Sequence, residues 1–167
     1  MYIFMITCYL LMALNLINFI ICGLMGYFNF SILGANHAQF GLFSILVFVL
    51  TETLVMYFFI AIGKSMKTIL SQKKDNTAHE LWEKIIYIKK IIFPHIMLTI
   101  ALIGGLYIFY FGYIRSNIMN ESTPYYWIQA PLFFIALIHH IWSLKVKNDS
   151  FRLQIEVVNK LSKNILE

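Results

Sequence analysis

Charged residues are scarce in this chain. Only 13% of its 167 residues are Asp, Glu, Lys or Arg, whereas 60% are hydrophobic. An average soluble domain has about 25% charged and roughly 45–50% apolar residues. The composition therefore excludes an ordinary soluble domain and indicates an integral membrane protein.

Cysteine is scarce as well, and its placement excludes several kinds of site. Cys8 and Cys22 both lie in the first apolar run. On one helix they stand about 21 Å apart, whereas the Cα atoms of a disulfide lie roughly 4.4–6.8 Å apart. This spacing excludes a disulfide, a cysteine redox pair and a cysteine zinc site. The sequence also has no Ser/His/Asp arrangement and no phosphate-binding glycine loop, so we predict no catalytic residues.

The chain is rich in long apolar runs. A membrane-spanning helix needs about 20 apolar residues to cross roughly 30 Å of hydrocarbon. Four runs reach that length, at residues 2–26, 39–62, 91–114 and 125–144. We predict a single domain over residues 1–167 with an all-α fold, an integral membrane four-helix up-and-down bundle.

Two residue types in the spans, proline and glycine, carry further predictions. Pro94 suits the first turn of the third span, where its missing N–H costs nothing, and Pro131 is expected to kink the fourth. Gly104 and Gly105 are adjacent near the middle of the third span. Paired glycines there predict the close approach of a neighbouring helix or a bend.

Two hydrophilic segments, loop 64–90 and tail 145–167, are both amphipathic. In the loop, a helix starting near Thr77 has Leu81, Trp82, Ile85 and Ile88 on one face. We predict that this helix lies on the membrane surface with Trp82 as an anchor. For the tail we predict a second, peripheral amphipathic helix.

The distribution of basic residues predicts the orientation. Seven lysines lie in the loop and five basic residues in the tail, and only Arg115 lies elsewhere. By the positive-inside rule the loop, the tail and both termini are cytoplasmic, and connectors 27–37 and 115–124 face outward. The net charge of +5 is thus a topology signal and does not indicate a nucleic-acid partner.

Three histidines form a candidate cofactor site. Counting about 1.5 Å per residue from Lys90 and Lys145 puts His95, His139 and His140 in one layer, about 7–9 Å deep. Imidazoles facing each other from adjacent helices can ligate a b-type haem. One hypothesis is therefore a haem b held by His95 and His139, with His140 as a substitute, that exchanges electrons with quinone. The alternative is that His95 lies at the headgroup boundary and the other two form hydrogen bonds within the bundle.

Glu52 is the one ionisable group near the middle of the second run, and an acid there is expensive in a membrane. Asn15 shares its predicted depth. Glu52 is either a proton-relay or quinone-contacting carboxyl, or a protonated group that bonds Asn15 for about 0.6 kcal/mol of stability. The second interpretation is favoured because no other ionisable group is predicted at that depth.

Several stretches carry a resemblance to a known group. NHAQFGLFS, MYFFIAIGKSMK, the Phe-Pro opening of the third span and FRLQIEVVNKL resemble small uncharacterised bacterial four-span inner-membrane proteins. The chain differs from them at Ala61 and Ile62, where Gly-Thr is expected. The resemblance implies a bacterial inner membrane and no particular activity.

The function predicted from the sequence is a non-catalytic subunit of a larger membrane complex, such as a respiratory one. Lipid and other membrane subunits are its expected partners, with quinone as a further one if haem is bound. The alternatives are an electron-transfer subunit with haem b, and a proton-relay or transport subunit that uses Glu52.

Overall fold

Four long helices make up the described part of the chain. The computed structural model describes residues 2–71, 76–111 and 126–166, so the predicted outer loop 115–124 and Tyr125 lie outside the described residues. The helices are α1 (Tyr2–Phe28), α2 (His37–Ser71), α3 (Asn76–Phe109) and α4 (Gln129–Leu166), with a short 3-10 turn, Tyr126–Ile128, before α4. The described ranges contain no β-strand, which confirms the predicted all-α fold.

Each helix packs against its neighbour in the chain, and α4 closes the bundle by packing against α1. Three segments of the described chain are long and apolar enough to cross a membrane: Ile3–Phe28, His37–Ser71 and Thr77–Phe109. The chain is therefore a small membrane protein by the length and composition of its helices. The fourth predicted span, which begins outside the described residues, stays a prediction.

The connector between α1 and α2 is a tight turn followed by a helix cap. Ile32 and Ala35 exchange two backbone hydrogen bonds of 3.1 and 2.9 Å around Gly34, whose φ is 77°. The N–H of Gln39 donates to Asn36 Oδ1 at 3.0 Å, and the N–H of Asn36 donates to Gln39 Oε1 at 2.9 Å. This reciprocal capping box fixes the start of α2.

The predicted surface helix is the first part of α3. Its apolar face is buried in a cluster with the last turns of α2 and α4, formed by Met66, Leu70, Ala78, Leu81, Ile85, Val157 and Leu161. Trp82 packs against this cluster, and its ring lies 5.9 Å from Lys67 Nζ. The prediction that this helix lies on the membrane surface is wrong, because α2 and α4 cover the face that lipid was expected to cover.

Neither proline has its predicted position relative to a helix end. Pro94 lies inside α3, because the loop helix and the third span are one continuous helix. Pro131 is the third residue of α4, where a missing N–H leaves no intrahelical bond unmade. Both predictions were wrong for one reason, since a helix boundary decides whether a proline begins a helix or interrupts it.

Among the glycines that the structure describes, the tightest contact with another helix occurs at Gly23 and not at the predicted pair. A Cβ added at Gly104 or Gly105 would meet no atom within 4 Å, so the predicted close approach there is wrong. A Cβ at Gly23 would overlap the Phe133 ring of α4. The absent side chain of Gly23 thus lets α1 and α4 meet.

This contrast predicts opposite effects of two identical substitutions. Gly23→Ala should lower the free energy of unfolding by about 1–3 kcal/mol, because the Phe133 ring must move. Gly104→Ala should raise it by up to about 1 kcal/mol, because alanine favours a helix and meets open space. Denaturant titration in the same detergent measures the free energy of unfolding of both variants. A change in the same direction for both would contradict the prediction.

Candidate functional site: a buried charge pair between α2 and α4

Glu52 of α2 and Lys147 of α4 form an ion pair inside the bundle. Lys147 Nζ donates to Glu52 Oε1 at 2.5 Å, and the two side chains are 0% and 1% exposed. Each residue belongs to a buried stripe with a spacing of three or four residues. The stripes are Ser44, Phe48, Thr51, Glu52 and Val55 on α2, and His140, Ser143, Lys147, Phe151 and Gln154 on α4. Helical periodicity therefore directs both charges to the bundle interior.

The pair corrects the depth predicted from the sequence. Counting from lysines assumed that the first lysine after an apolar run marks the membrane edge, which put Glu52 well above the tail. Lys147 can lie in the interior because Glu52 neutralises it. Four residues further along, Phe151 is 0% exposed, and its ring centroid lies 4.9 Å from those of Phe58 and Phe59. The tail is therefore the continuation of α4 within the bundle and not a separate peripheral helix.

Asn15 lies in the same core but does not pair with Glu52. Its side chain is 2% exposed. Within the described residues, neither Asn15 Nδ2 nor Glu52 Oε2 has a hydrogen-bond partner. The predicted Glu52–Asn15 bond is replaced by the bond to Lys147. One signal in the sequence pointed to Lys147, since it stands four residues from both Ser143 and Phe151 on an otherwise inward-facing stripe.

His140 extends this polar region toward the α1–α2 connector. It is 0% exposed and lies about 10 Å from Lys147 along α4. Its ring meets those of Phe19 and Phe48 edge-on, with centroids 6.0 and 6.5 Å away. Within the described part of the chain, neither ring nitrogen has a hydrogen-bond partner, and the same holds for Asn18 Nδ2. Buried polar atoms without partners thus come from three helices in one part of the core.

The two predicted haem ligands lie on adjacent helices around one tryptophan. The Trp142 ring centroid is 4.8 Å from that of His95 and 5.8 Å from that of His139, edge-on in both cases. His140 instead contacts the core aromatic rings, as the angle of about 100° between successive helix positions requires. His140 therefore cannot replace His139 in a site shared with His95.

Hydrogen bonds join α3 to α4 beside these histidines. Thr99 and Ser143, both 0% exposed, have hydroxyl oxygens 2.9 Å apart, and Thr99 Oγ1 lies 3.4 Å from His139 Nδ1. His95 Nδ1 lies 2.8 Å from the carbonyl oxygen of Ile91. Each of the two histidines thus has Nδ1 within reach of an oxygen, and His139 Nε2 is buried without a hydrogen-bond partner among the described residues.

A cavity among the described residues lies away from the charge pair and the histidines. It has a volume of about 310 Å³ and an apolar lining that includes Phe4, Tyr57, Ile62 and Leu161. None of the predicted site residues lines it. Comparison with known proteins finds no matching protein family, no significant match to a curated protein and no significant match to a solved structure, so the candidate function depends on the geometry of the site alone.

Proposed function

We propose that this small membrane protein transfers protons inside the membrane through Glu52 and Lys147. The observation that supports this function is a fully buried acid–base pair in which the second carboxyl oxygen, Glu52 Oε2, has no partner among the described residues. The sequence argument against a relay was the lack of a second ionisable group at that depth. Lys147, in contact with Glu52, removes that objection.

The chemistry is a proton shift along the hydrogen bond. When the proton moves from Lys147 Nζ to Glu52 Oε1, the ion pair becomes a neutral amine and a carboxylic acid. In a low-dielectric interior the desolvation cost of the charges largely offsets their attraction, so the two forms lie close in energy. A proton arriving at or leaving Glu52 Oε2 then decides which form is populated.

His140 and the amides of Asn15 and Asn18 supply the next steps. A neutral imidazole has one donor and one acceptor nitrogen, so it can take a proton on one side and release it on the other. Ordered water satisfies buried polar groups of this kind and conducts protons between them. The path would run from the charge pair past His140 toward the α1–α2 connector.

Infrared difference spectroscopy tests whether Glu52 exchanges a proton. A pH step applied to the purified protein should produce a carboxylic-acid carbonyl band, which Glu52→Gln should abolish. In liposomes carrying an internal pH dye, an imposed potential should drive a proton flux that Glu52→Gln lowers at least about tenfold. The matched control is Glu80→Gln, because the Glu80 side chain is 66% exposed. A band or a flux that survives in Glu52→Gln would refute the proposal.

Haem binding at His95 and His139 remains a second candidate, favoured by their common contact with Trp142. The expected result is a b-type alpha band in the dithionite-reduced minus oxidised spectrum of the purified protein. His139→Ala should remove this band because it removes an axial ligand. His37→Ala, at the start of α2, should leave it unchanged. If no alpha band appears, the hypothesis of electron transfer between haem and quinone is wrong.

The orientation is tested by labelling with a membrane-impermeant thiol reagent. Cys8 and Cys22 are buried, at 1% and 6% exposure, so they give little background. A cysteine introduced by Leu33→Cys in the exposed connector should react from outside intact bacterial cells, because the positive-inside rule places that connector outward. His79→Cys should react only after the cells are opened. The reverse pattern would overturn the proposed cytoplasmic termini.

A further inference from the structure

A column of buried polar side chains runs along α4 through the charge pair. Its members are spaced three or four residues apart and are at most 3% exposed: His140, Ser143, Lys147, Ser150 and Gln154. That spacing keeps them on one face of the helix, turned toward the bundle interior. From His140 to Gln154 the column spans about 21 Å, against roughly 30 Å for a hydrocarbon core. Polar groups therefore lie on both sides of Lys147 along the helix.

Gln154 has one property in common with His140. Within the described residues, its side-chain oxygen Oε1 is buried and has no hydrogen-bond partner. A buried acceptor of this kind destabilises the folded protein unless ordered water satisfies it. Such atoms thus occur on the column both before the charge pair, at His140, and after it, at Gln154. The path past His140 accounts only for the first.

Gln154 also lies near the level at which α2 exposes its first lysine. The Phe151 ring of α4 packs against the Phe58 ring of α2, with centroids 4.9 Å apart. Because α2 and α4 run in the same direction, Gln154 lies about 4.5 Å beyond this contact, and the exposed Lys64 lies about 9 Å beyond it. The column therefore ends within about one helical turn of a charged side chain at the surface.

A second polar branch leaves the column at Ser143 and leads through Thr99 to His139. His139 lies beside Trp142, which is 53% exposed, and the preceding residue, Ile138, is 69% exposed. Apolar side chains of this kind suit lipid, and hydrocarbon offers a proton no way out. The column toward Gln154 is therefore the better route to water.

We propose that Ser150 and Gln154 form the half of the proton path between Lys147 and the C-terminal end of α4. The inference rests on the proposed proton transfer and gives it a second access route, opposite to His140. The Ser150 hydroxyl and the Gln154 amide each offer donor and acceptor groups to ordered water, and the water carries the proton. Gln154 has no ionisable group, so it is a positioning residue.

Each cycle moves one proton and no electrons. In the neutral form of the pair, a proton that arrives along the column binds the Lys147 amine and gives an ammonium group. The Glu52 carboxylic acid then releases its proton toward His140, which restores the ion pair. The shift of a proton from Lys147 to Glu52 regenerates the neutral form. The reverse sequence moves a proton in the other direction.

Gln154→Leu tests this path in the liposome assay with the internal pH dye. Leucine fills a similar space without a polar atom, so the flux should fall at least about tenfold. The midpoint of denaturant unfolding should stay the same or rise, because a buried acceptor without a partner is removed. A purely structural residue would not combine a lower flux with undiminished stability. Gln154→Asn, which keeps the amide, should retain the flux within about threefold.

Asn159→Leu is the matched control, because Asn159 is an exposed amide on the same helix. Its flux should equal that of the natural protein. Gln154→Leu should keep the infrared band of Glu52, since the charge pair and the His140 side of the column are intact. If Gln154→Leu does not fold, Ser150→Ala is measured in its place and read in the same way.

Two results would overturn this path. One is an unchanged flux in Gln154→Leu, and the other is loss of the infrared band together with the flux in a folded variant. Glu52→Gln distinguishes both from a failure of proton transfer itself. If Glu52→Gln abolishes the flux and Gln154→Leu does not, only the path is wrong. If the flux survives in Glu52→Gln, the proposed function and the path are both wrong.

Discussion

Replacement of Lys147 by methionine is expected to lower the free energy of unfolding by about 3–5 kcal/mol. The substitution keeps much of the aliphatic volume but leaves the Glu52 carboxylate in the interior without a partner, and breaking a buried pair on one side has a cost of this size. Denaturant titration in mild detergent, followed by circular dichroism, measures the loss. Lys145→Met is the matched control. Lys145 is exposed on the same helix, so its loss should change stability by no more than about 0.5 kcal/mol.

A second substitution should reverse most of that loss. Glu52→Gln combined with Lys147→Met removes both charges, and replacing a whole buried pair by neutral residues is often nearly neutral. We expect the double variant to lie within about 1 kcal/mol of the natural protein, which makes the coupling energy between the two sites at least about 2 kcal/mol. If Lys147→Met alone loses less than about 1 kcal/mol, the two residues do not form the buried pair.

The double variant also separates stability from function. It should fold with its helices intact and yet show neither the carboxylic-acid infrared band nor proton flux. If the pair has only a structural role, any variant that is stable should keep the full proton flux. If the pair transfers protons, the double variant should show no flux, because both ionisable groups are gone.

The helical type of the apolar runs could be predicted from the sequence because it depends on local pattern. Runs of about 20 apolar residues specify spans whatever their neighbours are. What the sequence could not supply was the register between helices. Glu52 and Lys147 are 95 positions apart, and nothing local decides which residue of α4 lies level with Glu52. Counting from lysines failed here because the reference lysines Lys64 of α2 and Lys145 of α4 do not lie at the same level, as the contacts of Lys147 with Glu52 and of Phe151 with Phe58 show.

The amphipathic segments show a second limit of the sequence. An apolar face with charges opposite is the pattern of a helix on a membrane and equally of a helix that packs against others. Leu81 and Ile85 therefore pointed to either arrangement, and the structure buries them against α2 and α4. The histidines were better predicted, because the neighbouring antiparallel helices α3 and α4 bring His95 and His139 close together around Trp142.

Phe151→Ala should lower the free energy of unfolding by about 3 kcal/mol, the second large effect that we expect. Phe151 is 0% exposed, and its ring centroid lies 5.1 Å from that of Tyr9 and 4.9 Å from those of Phe58 and Phe59. Its removal leaves a cavity bordered by three rings, and large-to-small changes at such positions cost about 3–5 kcal/mol.

Phe134→Ala on the same helix is the control for this substitution, because Phe134 is 60% exposed and its removal opens no enclosed space. Denaturant titration of the two variants therefore distinguishes two arrangements of α4. If α4 continues into the bundle, removal of the Phe151 ring lowers the free energy of unfolding far more than removal of the Phe134 ring. If the tail is peripheral, both substitutions lower it only slightly. Equal losses would contradict the packed arrangement and, with it, the register that brings Lys147 to Glu52, because Phe151 lies one helical turn beyond Lys147 on the same inward stripe.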